Sequence, residues 1–266
     1  MKDLFKHWDS AVRDLRGKTI LLFLDYDGTL TPIVSRPENA ALPDSVRTLL
    51  TGLLASRRFR IAIVSGRALA DIKNRVGIGG IVYAANHGLE AEGPGVKRVF
   101  FAEQKFRLLL SEISVALKRI VAVFPGSQLE DKGLTLSIHY RRVDPKAAAA
   151  MRAAVLRTLK PYTAKNRIRL NKGKMVFEVR PPVEWNKGKF VMWLMKQWKT
   201  ACTGGIAAVY LGDDVTDEDA FRALQGKGLT VFVGRYRRRS AADYFLRGPE
   251  QVRGFLAGMR ALQENG

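Results

Sequence analysis

The chain has a single cysteine, Cys202, in 266 residues. That excludes an intrachain disulfide framework and any zinc site built on several cysteines. Long apolar runs are missing too: none approaches the roughly 20 residues that a membrane-spanning helix needs, so no membrane partner is expected. Residues 1–17 carry charges throughout and hold no apolar signal core, which fits a cytoplasmic protein. Acidic residues are scarce: 25 Asp and Glu stand against 45 Lys and Arg, a formal net charge of +20. Such a charge raises nucleic acid as a partner. The basic clusters at 57–60, 165–174 and 235–239 are dispersed and match no nucleic-acid-binding motif, so a solvated basic surface is preferred. The same field would attract a small anionic substrate.

Against that shortage of acids, the placing of two of them stands out. The apolar run Ile20-Leu21-Leu22-Phe23-Leu24 ends on Asp25-Tyr26-Asp27-Gly28-Thr29-Leu30. A run that is continuously apolar reads as a strand covered on both faces, as in a parallel sheet. Its C-terminal end is where open α/β proteins place ligands. Two carboxylates there are costly unless something cationic compensates them. The residues themselves suggest a nucleophile (Asp25), a proton donor and acceptor (Asp27) and a divalent metal. A hairpin turn or a calcium loop is the alternative for Asp-x-Asp-Gly. The continuous apolar run and the lack of further acids at calcium-loop spacing argue against it.

The rest of the chain alternates. Strands are expected at 19–25, 59–65 and 81–85, with helices at 43–56 and 68–76 between them. This is the βαβ rhythm of a parallel sheet. From residue 105 the rhythm changes: a long helix at 105–123, an alternating strand at 134–140, an alanine-rich helix at 146–160 stopped by Pro161, and two strands at 167–170 and 175–179. Strands and helices alternate again from 187 onward. The expected architecture is α/β: a Rossmann-like parallel-sheet core from 1–104 and 183–266, with an inserted α+β unit at 105–182. Pro181-Pro182 reads as the hinge back.

Further groups with chemistry follow strand ends. Ser65-Gly66-Arg67 closes the second strand, where Ser65 is either a helix N-cap or an anion ligand, and Arg67 either a phosphate ligand or surface. Lys187 stands at a helix start, where cations are slightly disfavoured unless an anion is near. Gly212-Asp213-Asp214-Val215-Thr216-Asp217 follows another apolar strand.

Taken in order, these four motifs resemble those of the haloacid dehalogenase superfamily of phosphotransferases. The resemblance implies that Asp25 attacks phosphorus and forms an aspartyl-phosphate, and that Asp27 protonates the leaving group and then activates water. It implies that Ser65 and Lys187 hold the phosphate, and that Mg²⁺ is bound by Asp25, Asp213 and the carbonyl of Asp27. Asp214 and Asp217 would orient these ligands from behind. Phosphoryl transfer needs positioning and charge neutralisation above all, which suits this set. The inserted unit then corresponds to a substrate-selecting cap that closes and excludes water.

Between the motifs the chain is similar to one branch, the trehalose-6-phosphate phosphatases, from about residue 18 to 256. The matching stretches are Asn86-His87-Gly88-Leu89-Glu90, Glu130-Asp131-Lys132-Gly133-Leu134, His139-Tyr140-Arg141 and Gly173 to Pro181. The stretch 235–239 aligns with nothing in the pattern. Arg67, Asn86, His87, Glu130, Lys132, Arg141, Lys172, Lys174 and Glu178 are the substrate-binding candidates. For those in the inserted unit, an ordinary solvated sheet face is the alternative. The implied reaction is Mg²⁺-dependent hydrolysis of trehalose 6-phosphate by a monomer. Alternatives are another sugar phosphate, such as sucrose 6-phosphate or mannosyl-3-phosphoglycerate, or a non-catalytic protein that binds sugar phosphate or nucleic acid.

Overall fold

The computed structural model describes residues 1–34, 36–101, 103–173, 175–202, 204–235 and 239–264. Lys174 and positions 236–238 of the basic stretch lie outside them. The chain divides into two compact units, Met1–Arg98 with Trp185–Gly266, and Val99–Glu184. Among the described residues no helix is long and apolar enough to cross a membrane.

The first unit runs β1 (Lys2–Asp3), α1 (Trp8–Val12), β2 (Thr19–Leu24), α2 (Asp44–Ala55), β3 (Phe59–Val64), α3 (Leu69–Val76), β4 (Val82–Ala85), β5 (Glu90–Gly93) and β6 (Val96–Val99). The second unit holds α4 (Gln104–Val123), β7 (Gln128–Asp131), β8 (Leu136–His139), α5 (Pro145–Ala164), β9 (Arg169–Gly173) and β10 (Val176–Arg180). The first unit then resumes with α6 (Lys187–Thr200), β11 (Ile206–Gly212), α7 (Glu218–Leu224), β12 (Gly228–Val233), β13 (Tyr244–Leu246) and α8 (Pro249–Glu264).

The strand order in the large sheet is β1-β13-β12-β11-β2-β3-β4-β5-β6. Every pairing from β1 to β4 is parallel, and β5 returns antiparallel to β4. β2 sits centrally between β11 and β3, and its two faces explain its unbroken apolar run. Ile20, Leu22 and Leu24 join the core cluster that includes Leu50 and Leu53 of α2 and Phe255 and Leu256 of α8. Phe23 faces the other way, 5.5 Å from the ring of Trp198 in α6 and 6.5 Å from that of Tyr210. Each such fully buried side chain contributes about 1.5–3 kcal/mol. That is the source of the rigidity on which the strand-end carboxylates stand.

The second unit has a four-stranded antiparallel sheet in the order β7-β8-β10-β9. Ile138, Phe177, Leu136 and Val179 are buried together with Ile113 and Leu117 of α4 and Met151, Val155 and Leu159 of α5. Three expectations need correction here. α5 does not stop at Pro161 but continues to Ala164. Pro161 removes the N–H that would reach the carbonyl of Arg157 but leaves the following turn intact, where the hydroxyl of Thr163 donates to the carbonyls of Leu159 and Lys160. The strand expected at 167–170 runs on as β9 to Gly173, so Lys172 and Gly173 are strand, and the reversal falls at Met175, where φ is +64°. β7, like β5 and β6 in the first unit, is a strand the sequence pattern does not announce: its burial is only partial.

Candidate active site

Four strand ends of the first unit converge on one cluster. β2 delivers Asp25, whose N–H donates to the carbonyl of Leu211 at 2.9 Å and so ties it to β11. The chain then turns at once: the N–H groups of Leu30 and Thr31 both donate to the carbonyl of Tyr26. Gly28 is required in this turn. Its φ is +88°, and a Cβ there would lie 2.4 Å from Oδ2 of Asp213. The backbone beside Asp27 therefore approaches the Asp213 carboxylate closely.

Lys187, the first residue of α6, is buried, with Asn186 capping the helix by accepting from the N–H of Lys189. Its Nζ donates to Oδ1 of Asp25 and to Oδ1 of Asp217, both at 2.7 Å. Asp217 is wholly buried and accepts four hydrogen bonds. Besides Lys187, Tyr210 Oη donates to its Oδ1 at 2.7 Å, and the N–H groups of Asp213 and Asp214 donate to its Oδ2 at 3.0 and 2.9 Å. It thereby shapes the β11–α7 turn from within. Oxygen atoms of Asp25, Asp213 and Asp217 lie within 4.8 Å of one another, a spacing that could hold a metal ion.

Two of these three carboxylates, Asp25 and Asp217, thus share one lysine. Burial pushes the carboxyl of Asp25 well above the ordinary range; Lys187 opposes this, and Asp217 and Asp213 reinforce it. Burial would lower the pKa of Lys187, but the charges of Asp217 and Asp25 raise it above its usual value, so it stays an ammonium. Burial and the neighbouring Asp217 push the Tyr210 phenol well up, which keeps it a donor.

Asp27 is directed elsewhere. Its side chain is 41% exposed and accepts from Arg67 through both oxygens, each at 2.7 Å. Arg67, itself 9% exposed, also donates to Asp71. The carboxylate cluster thus takes Asp217 as its third member, while the side chain of Asp27 lies against Arg67. Ser65 is buried at the end of β3 and is not a helix cap, since Ala68 holds the N-cap position of α3. Its Oγ accepts from the N–H of Arg67 at 3.2 Å. Asn86 and His87 follow β4, and their N–H groups donate to the carbonyls of Arg67 and Ser65. The two loops are thereby joined. Both residues have positive φ, +49° and +58°, a conformation that side chains other than glycine adopt at a cost. The Nδ2 of Asn86 donates to Glu90 at 2.7 Å.

In the second unit, register aligns Glu130, Ser137, Glu178 and Asn171 as one row across the four strands. Glu178 and Arg180 are buried, 3.8 Å apart, and so are not on a solvated face. Glu130 Oε2 hydrogen-bonds His139 Nε2 at 2.9 Å and lies 3.8 Å from the 8%-exposed side chain of Lys132. Lys172 pairs with Phe177, in a row offset by one residue and hence on the opposite face, so it does not join this group. Arg141 is exposed in the turn after β8.

Sequence reasoning did not find Tyr210 or Asp71. Each had a readable signal: a hydroxyl inside an apolar strand, and the pair Asp71 and Arg75 four residues apart on a helix.

A parallel sheet that presents these carboxylates at its strand ends, with Lys187 among them, has the haloacid dehalogenase-type α/β fold. Within that class the assignment is specific, for a family model described as Trehalose-phosphatase matches residues 23–250. The chain is 36% identical over 246 residues to "Probable trehalose-phosphate phosphatase 4" of Oryza sativa subsp. japonica, covering 91% of this chain and 66% of that protein. It is 34% identical over 260 residues to "Trehalose-phosphate phosphatase B" of Arabidopsis thaliana, covering 94% and 68%. Its structure superposes on the C-terminal domain of the C. albicans trehalose-6-phosphate phosphatase with a TM-score of 0.80 at 27% identity, covering 95% of this chain and 96% of that one. The chain belongs to the trehalose-phosphatase family.

Proposed function

We propose that this protein hydrolyses trehalose 6-phosphate to trehalose and inorganic phosphate, as a phosphoric monoester hydrolase of trehalose biosynthesis. The observation that carries the reading is Asp25: a buried strand-end carboxylate held at 2.7 Å by Lys187, in a chain of this family. Asp25 attacks phosphorus; the Asp25–phosphorus bond forms as the bond from phosphorus to sugar O6 breaks. O6 takes the proton carried by Asp27. Asp27 then accepts a proton from water, which attacks phosphorus and releases Asp25. Lys187 fixes the nucleophile's orientation, and Ser65 is placed to hold a phosphoryl oxygen. The Val99–Glu184 unit is assigned the part of cap: Glu130, Lys132 and Glu178 pair with sugar hydroxyls, which carry both donors and acceptors.

The donor set fits a divalent cation. It is all oxygen, and three carboxylates outnumber the one lysine among them, which suits Mg²⁺. Asp25, Asp213 and the backbone carbonyl of Asp27 would hold it, with Asp217 behind. When bound, the ion supplies positive charge against the phosphoryl oxygens.

The test is phosphate release from trehalose 6-phosphate, glucose 6-phosphate, sucrose 6-phosphate and an aryl phosphate, with Mg²⁺ and with chelator. Preference for trehalose 6-phosphate that chelation removes is expected. Activity confined to the other esters would replace the substrate, and none at all would sink the reading.

A further inference from the structure

Arg67 is held on every side the structure describes. Its Nε and Nη2 grip both oxygens of Asp27, and its Nη1 donates to Asp71 at 2.8 Å. Asp71 in turn accepts from Arg75 Nε at 2.8 and 2.9 Å. Arg75 Nη1 donates to the carbonyls of Glu38 and Ala40, both at 3.0 Å. The guanidinium of Arg67 lies over the Tyr26 ring, 5.4 Å from its centre, and Tyr26 Oη donates to the carbonyl of Ala40 at 3.0 Å. The array starts at Asp27 and ends on backbone, so the carboxylate's plane is fixed by groups that cannot themselves rotate freely.

We infer that Arg67 is a positioning residue for Asp27, setting the direction in which that carboxylate passes and receives its proton, and is not a ligand of the substrate's phosphate. Two facts carry this. A bidentate fork occupies one lone pair on each carboxylate oxygen and leaves the other pair for the sugar oxygen or for water. And three of the five guanidinium N–H groups, one on each nitrogen, already donate to carboxylates within the protein, which fixes the plane of the group and sets its charge against Asp27 and Asp71. The inference rests on the reading of Asp27 as proton carrier. Asp71 and Arg75 act one step further back, on Arg67.

The leaving group separates the possibilities. Sugar O6 departs only with a proton, whereas an aryl phosphate with an acidic phenol departs without one. Burst kinetics on such an ester therefore reads formation of the Asp25–phosphorus bond with no help from Asp27. In Arg67→Gln, turnover of trehalose 6-phosphate should fall about 100-fold, the scale of a misplaced reacting group. The aryl phosphate burst rate, and the inhibition constant of inorganic phosphate, should stay within about threefold. In the Asp27→Asn background, Arg67→Gln should add nothing, because the two act as one unit. Asp71→Asn, on a helix surface and so tolerant of change, should show a smaller loss with the same leaving-group pattern; it keeps the question open to test if Arg67→Gln does not fold. Equal losses on both esters with a raised phosphate inhibition constant would make Arg67 a phosphate ligand and overturn the inference. Additive losses in the double variant would overturn it as well. If Asp27→Asn alone shows no leaving-group dependence, the reading of Asp27 itself fails; if it does and Arg67→Gln does not, only the inference fails.

Discussion

At the scale of single residues, the site combines activity with instability. Asp25 has its carboxyl held above the ordinary range, mainly by burial. A group whose folded pKa lies above its unfolded value stabilises the fold when protonated, and that contribution fades as pH rises through the folded pKa. An asparagine has no proton to lose. In chelator, Asp25→Asn should therefore melt at or above the wild-type temperature at neutral pH, and its advantage should grow from about pH 4 upward. Its turnover should be lost by at least about a thousandfold. Melting curves across pH, beside the phosphate assay, check both halves; a variant that melts lower at every pH would contradict the first. The strand-end positions of Asp25 and Asp213 were legible because apolar strands stop on them, and Lys187 because a cation at a helix start is out of place unless an anion is near. The bond from Tyr210 to Asp217 was not, since a phenol in a strand pattern reads equally well as packing. Nor was the turn of Asp27 toward Arg67, which depends on side-chain torsions that no spacing encodes.

Elements set how closely these residues meet. Gly188 follows Lys187 at the start of α6, and a Cβ there would lie 2.3 Å from the backbone carbonyl of Asp219 in α7. That close approach of two helices keeps Lys187 within reach of Asp217. Gly188→Ala should cost about 1–3 kcal/mol by overpacking and reduce turnover more than it raises KM, since it displaces Lys187 from Asp25. Urea titration and steady-state kinetics measure the two effects; unchanged values of both would show that the contact yields without consequence. Strands β2, β3 and β4 and helices α2 and α3 of the first unit could be read to within a residue, because burial of a strand on both faces writes itself as an unbroken apolar run, whereas the short α1 and β13 were not read. The edges could not. β5 and β6 mix Glu, Lys and Arg with a few apolar positions, and half-exposed strands of this kind gain more from their sheet partners than from their own composition. The register of β9 against β10 is fixed at the reversal around Met175, which the sequence pattern did not place, and that is why Lys172 was grouped with Glu178.

On the scale of the molecule, the two units have separate cores, and the uncompensated acids lie in one of them. If the cluster binds Mg²⁺, the ion should raise the melting temperature, with about 2.7 kcal/mol gained at a hundred times its dissociation constant. Scanning calorimetry with Mg²⁺ and with chelator tests this; identical melts would remove the metal from the site. Phe106, Ile113, Leu117, Met151, Val155 and Phe177 of the Val99–Glu184 unit are buried. Expressed alone, residues 99–184 should give dispersed amide resonances and a cooperative melt, whereas a chain ending near residue 200 should not, because β2 would lack β11, one of its two partners. That partner has one more consequence, for the order in which the chain is made. Thr19 pairs beside Ile206. On the ribosome, the open edge of β2 therefore waits roughly 10–40 s for β11 at ordinary synthesis rates. An uncovered apolar strand edge invites pairing with strangers, so the newborn chain is most open to mispairing between the synthesis of β2 and that of β11.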